Sequence, residues 1–100
     1  MHARLVTVRF RTSDVPKIDR AASKDGMLRA VWIREAALAR AVTKTGAPLP
    51  KSTANGEGEP LTVRFAERDY TRIVRAAERE GMLVSSWIRG AALARLNGAA

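Results

Sequence analysis

The chain of 100 residues contains no cysteine, one histidine, and an aromatic set limited to two Trp, one Tyr and two Phe. Without cysteine there is neither a disulfide framework nor a thiolate metal site, and a reducing compartment, the cytoplasm, is expected. The one histidine, His2, sits at the N-terminus, where chains are by default poorly ordered. No internal imidazole is therefore available as an acid, a base or a metal ligand. There is no phosphate-cradling glycine loop and no cluster of His, Cys, Asp and Glu at ligand spacing, and the serines lack a plausible base. The expectation is a protein that is not an enzyme and needs neither metal nor cofactor. No apolar run approaches the length of a membrane span and no signal peptide pattern opens the sequence, so a membrane is not an expected partner.

What the chain does have is positive charge, 18 Lys and Arg against 10 Asp and Glu, for a formal +8. Residues 1–40 hold nine basic and four acidic side chains, and residues 60–100 hold seven and four, whereas 41–59 balance at two and two. The excess thus belongs to the two ends of the sequence that carry apolar periodicity. Such basic bodies favour polyanions, nucleic acid foremost.

Those two ends are copies. Residues 6–40 recur at an offset of 55 as residues 61–95, with 20 of 35 positions identical and no gap. Two units are too few for a solenoid. Each is also close to the length of about 40 residues below which a chain seldom folds unaided. The copies are therefore expected to complete a common core, as a dimer fused into one chain.

Each copy opens on strict alternation. Val6, Val8 and Phe10 point one way and Leu5, Thr7 and Arg9 the other; Leu61, Val63 and Phe65 oppose Thr62 and Arg64 in the second copy. These are short half-buried strands, and since one strand is not stable alone they should pair with each other. The period then becomes helical. Thr12 or Ser13 can cap a helix that tolerates Pro16 in its first turn. Its apolar stripe is Val15, Ile18, Ala21 and Ala22, matched by Tyr70, Ile73, Ala76 and Ala77. Gly26 and Gly81 are placed to end these helices. Second helices are expected near 30–43 and 85–96, with Trp32, Ile33, Ala36 and Ala37 and their counterparts Trp87, Ile88, Ala91 and Ala92 in the core. The charges on the first helices, among them Lys17, Lys24, Arg72 and Arg79, read as solvated faces. Residues 45–59, with two prolines and three glycines, read as a flexible linker between a first unit at 1–44 and a second at 60–100. The fold class expected is mostly α with a two-stranded antiparallel β-ribbon, in the order β-α-α-linker-β-α-α.

This order, the duplication, and the sixteen-residue spacing from Phe10 to Gly26 and from Phe65 to Gly81 resemble the ribbon-helix-helix family of DNA-binding proteins in a tandem, single-chain form. The resemblance covers both copies. It implies a pseudo-dimer whose ribbon enters the major groove, with outward strand residues reading bases and the start of each second helix holding a phosphate. Carried onto this sequence, the base-contacting positions are Thr7, Arg9, Thr62 and Arg64, with Arg4, Leu5 and Arg11 flanking them. Arginine can donate twice to guanine, and threonine can meet a thymine methyl or donate one hydrogen bond. At the second-helix starts the family pattern is broken. Leu28 and Leu83 stand where a serine or threonine is usual, so Arg29, Ser85 and Ser86 become the candidate phosphate contacts, beside the backbone N–H groups.

The resemblance implies sequence-specific binding of double-stranded DNA at an imperfect inverted repeat, with pairing of the ribbon centred on Thr7 opposite Thr62. Within the family, the segment around Gly81–Leu93 is similar to plasmid mobilisation accessory proteins. That implies binding at a transfer origin, alongside a relaxase and further copies of the chain on adjacent sites, with control of its own promoter. A dedicated transcriptional repressor is the alternative. A protein-interaction module that has lost DNA binding is a further one, prompted by Leu5 and the broken clamp.

Overall fold

Strand, helix, helix occurs twice in a computed structural model that describes residues 3–42 and 58–96. The first set is β1 (Ala3–Phe10), α1 (Val15–Lys24) and α2 (Arg29–Val42); the second is β2 (Glu59–Ala66), α3 (Glu67–Arg79) and α4 (Val84–Leu96). The protein is mostly helical, with one two-stranded antiparallel sheet. Of the segment expected to be a linker, all but Gly58 and Glu59 lies outside the described residues, as does His2.

Alternation in the strands becomes alternation in burial. Val8, Phe10, Leu61, Val63 and Phe65 are buried and Val6 half-buried, while Leu5, Thr7, Arg9, Thr62 and Arg64 are exposed. The register is one that alternation allows, and of those it is the symmetric one: Thr7 faces Thr62, its own counterpart in the other copy. Arg9 opposite Pro60 is therefore mirrored by Arg64 opposite Leu5, and Val8 opposite Leu61 by Val63 opposite Val6. A slip of one residue would turn the buried set to solvent.

Under the ribbon lies a single core. Val8, Phe10, Ile18, Trp32 and Ile33 share one cluster with Val63, Phe65, Ile73, Trp87 and Ile88. The second helix of each copy packs on the strand of the other, α2 on β2 and α4 on β1, and α2 and α4 pack together. The copies are thus interleaved rather than placed side by side. Each tryptophan reaches its core position with its polar edge satisfied. The indole N–H of Trp32 donates to Asp25 (3.2 Å), and that of Trp87 donates to Glu80 (2.5 Å).

Both first helices end in the same backbone motif. Gly26 (φ 68°) and Gly81 (φ 66°) take the left-handed conformation that glycine adopts freely. Gly26 N–H donates to the Ser23 carbonyl and Met27 N–H to that of Ala22; Gly81 and Met82 do the same to Glu78 and Ala77. These are Schellman closures, and half-buried Met27 and Met82 add the apolar contact that accompanies them. The repeated Gly-Met pair is the sequence trace of this turn.

The first helices start differently from the expectation. Neither Thr12 nor Ser13 is the N-cap; Asp14 holds that position and makes no side-chain cap. Residues 11–14 form a turn in which Asp14 N–H donates to the Arg11 carbonyl (2.8 Å). Pro16 explains the delay. A helix begun at residue 12 would require a donation from residue 16, which proline cannot make. In the second copy Thr71 stands at the corresponding position, and α3 follows β2 directly with Glu67 and Asp69 in its first turn, where acidic residues favour the helix dipole.

Candidate nucleic-acid interface

The outward face of the ribbon carries Thr7 and Thr62 at its centre and Arg9 and Arg64 two residues along each strand. All four are exposed. Strand geometry forces this: with Val8 and Val63 buried, the residues on either side of each must face away from the core. Leu5, 63% exposed, and Pro60 complete the same face.

The two arginines differ in their restraints. Arg9 Nη1 donates to the carbonyl of Gly58 at 3.4 Å, whereas Arg64 makes no hydrogen bond or ion pair among the described residues. Gly58 has φ 128°, and a Cβ there would lie 2.3 Å from the Phe10 carbonyl oxygen. Glycine is what lets the chain pass this close to the end of β1 as it enters β2. At the other flank, the Arg4 guanidinium sits over the Tyr70 ring, 5.5 Å from its centroid, a cation–π geometry.

The starts of α2 and α4 are alike in backbone and unlike in charge. Trp32 N–H donates to the Leu28 carbonyl and Trp87 N–H to that of Leu83, both at 2.9 Å, so each leucine is the helix N-cap. A leucine offers no side-chain oxygen to the first N–H groups of its helix. Leu28 and Leu83 are 77% and 75% exposed. Ser85 and Ser86 lie half-buried in the first turn of α4.

Arg29, at the matching place in α2, is held by two carboxylates. Its Nε and Nη2 donate to the two oxygens of Asp19 (2.7 and 2.6 Å), and its Nη1 donates to Glu59 Oε2 (3.0 Å). The hydrogen bond to Asp19, above all, holds its pKa above the ordinary arginine value, against a partial loss of hydration. Asp19 and Glu59 belong to α1 and β2, so the guanidinium ties the first copy's two helices to the second copy's strand. A phosphate at this helix start would have to compete with both carboxylates.

One charged residue was not singled out in the sequence. Arg89, on α4, is only 7% exposed. Its Nη1 donates to the Arg9 carbonyl (3.2 Å), and its Nε has no partner. Burial, and then repulsion from Arg11, push its pKa below the ordinary value. Its counterpart Arg34 is more exposed and has the carboxylate of Glu35 3.7 Å away; Gly90 replaces that glutamate beside Arg89. The signal was the Trp-Ile-Arg triplet shared by both copies, which places an arginine directly after two core residues.

Comparison of the chain with protein-family models, curated proteins and solved structures returned no match.

Proposed function

We propose that the protein binds double-stranded DNA sequence-specifically, as a single-chain ribbon-helix-helix pseudo-dimer that inserts β1 and β2 into the major groove. The observation that carries this reading is the register. Pairing Thr7 with Thr62 brings Arg9 and Arg64 to symmetric, exposed places on one face of a body with net charge +8. A two-stranded ribbon fits the width of the B-form major groove, and two outward arginines and two threonines give it donors for base edges. The deep, narrow major groove of A-form RNA would exclude it.

In this reading each half of the ribbon faces one half of an inverted repeat. The half-sites are unequal because the ribbon ends are: Arg9 lies opposite Pro60 and is held at Gly58, and Arg64 lies opposite Leu5. The backbone N–H groups starting α2 and α4, with Ser85 and Ser86, supply the phosphate contacts. Arg29 joins them on the first side only by leaving its carboxylates. We further propose, on the resemblance to mobilisation accessory proteins alone, that the DNA is a plasmid transfer origin.

The test is selection of bound duplexes from a random pool, followed by footprinting. The expected result is one imperfect inverted repeat occupied by one chain, with affinity that falls steeply with added salt, which reduces the gain from counterion release on binding. Recovery of no preferred sequence, or binding insensitive to salt, would overturn the reading.

A further inference from the structure

Two grooves on the helical body repeat the same chemistry. One runs between α3 and the end of α2 and is lined by Arg72, Arg75 and Arg79 with Ala41, Val42 and Glu78. The other runs along α1 to the end of α4 and is lined by Lys17, Arg20 and Lys24 with Ala21 and Leu96. An offset of 55 converts each cation of the second groove into a cation of the first, and Ala41 into Leu96. Two of the three cationic positions differ in identity between the copies, yet all three keep their charge. Their neighbours do not: Asp19 corresponds to Val74 and Ser23 to Glu78. All six side chains are exposed, and apart from Lys17, 4.0 Å from Asp14, they form no ion pair among the described residues.

We propose that these grooves are a pair of docking sites for an acidic, amphipathic helical segment of a partner protein. The cations fall at positions i, i+3 and i+7, a single stripe roughly 10 Å long. Carboxylates at the same spacing on a partner helix lie on one stripe and meet them in register. The floor made by Ala41 and Val42, or by Ala21 and Leu96, takes the apolar residues beside those carboxylates. A phosphate backbone would make no use of that floor.

The segments beside the described elements do not have the chemistry of that occupant. Residues 43–57 hold one carboxylate, Glu57, against Lys44 and Lys51, and residues 97–100 hold none. A second copy is disfavoured by its own charge of +8 and by the commitment of Asp19, Glu59, Asp25 and Glu80 to Arg29 and the two tryptophans. The first groove, whose three cations are all arginines, should bind the tighter of the two, because a guanidinium fork holds a carboxylate with two hydrogen bonds where an ammonium gives a point charge.

The test uses the full chain and a fluorescein-labelled 14-residue helical peptide with glutamates at i, i+3 and i+7 and leucines alongside. A scrambled peptide of the same composition and a single-stranded oligothymidylate are the controls. Two peptides per chain are expected at 0.15 M salt, bound at least tenfold more tightly than the scrambled control. The triple variant R72Q/R75Q/R79Q should remove the tighter site, K17Q/R20Q/K24Q the weaker one, and thermal unfolding should be unchanged in both. Equal binding of the two peptides, no binding, or binding unaffected by both triple variants would overturn the proposal. So would oligothymidylate binding that both variants abolish while the spaced peptide fails to bind, which would make the grooves nucleic-acid contacts.

Discussion

Thr7 and Thr62, the same position in two copies of one sequence, face each other across the ribbon. A residue paired with its own counterpart marks the centre about which the strands are exchanged, so Arg9 and Arg64 lie equidistant from it on the exposed face.

That placement makes the two arginines separable. Arg9→Ala and Arg64→Ala should each weaken binding to the selected duplex by about 1–3 kcal/mol, the worth of one bidentate guanine contact. Each should relax base preference in a different half-site. Competition gel shifts against duplexes altered in one half-site at a time measure this; unchanged preference in both variants would rule out reading by the ribbon.

Glycine substitutions should rank by close approach rather than by depth. Gly26→Ala and Gly81→Ala meet open space and incur only the left-handed backbone penalty, about 1–2 kcal/mol. Gly58→Ala adds an atom that would sit 2.3 Å from the Phe10 carbonyl oxygen, and should cost more than either. Urea midpoints of the three variants decide the order.

The interleaved core should melt as one unit. Ile33→Val and Ile88→Val each delete one buried methylene, for about 0.5–1.5 kcal/mol. In a Trp32→Phe or a Trp87→Phe background, the remaining tryptophan reports on one copy, and both reporters should give the same midpoint as circular dichroism. Separate midpoints would mean that the copies fold independently.

Arg89 carries a charge into the protein without an ion pair among the described residues, and its desolvation opposes folding. Arg89→Met keeps an unbranched apolar stem, removes the charge and loses one hydrogen bond to the Arg9 carbonyl. Because a net hydrogen bond contributes only about 1 kcal/mol, stability should be equal or higher in this variant. A loss above about 2 kcal/mol by urea denaturation would show that the guanidinium is needed where it lies.

The features legible in the sequence are those set by neighbours along the chain. Alternation at Val6–Phe10 set which side chains face the core and excluded a one-residue slip, while pairing at Thr7 rather than two residues away is a contact between elements. Gly26 and Gly81 stand where only a left-handed turn fits, and Trp32 and Trp87 precede isoleucines on an apolar face. Contacts between elements were not legible. Asp19, forty residues before its strand partner Glu59, reads as one surface charge among several until α2 crosses onto β2 and Arg29 joins it to Glu59. Arg89 reads like Arg34 until one is packed against the end of β1 and the other stays near Glu35. Thr12 and Ser13 are ordinary capping residues, and the late start of α1 comes from Pro16, whose missing N–H cannot close a turn on residue 12.

Because α2 lies on β2 and α4 on β1, nothing in these contacts requires the two copies to come from one molecule. The same surfaces fit between two chains, the first copy of one meeting the second copy of another. What favours closure within a chain is proximity: joined segments see each other at an effective concentration in the millimolar range. Shortening residues 43–57 until they cannot span the gap should therefore yield exchanged dimers in which every strand and helix keeps its present neighbours. The ribbon would be unchanged and its sites doubled in number, one length of polypeptide deciding whether the molecule acts singly or as a linked pair.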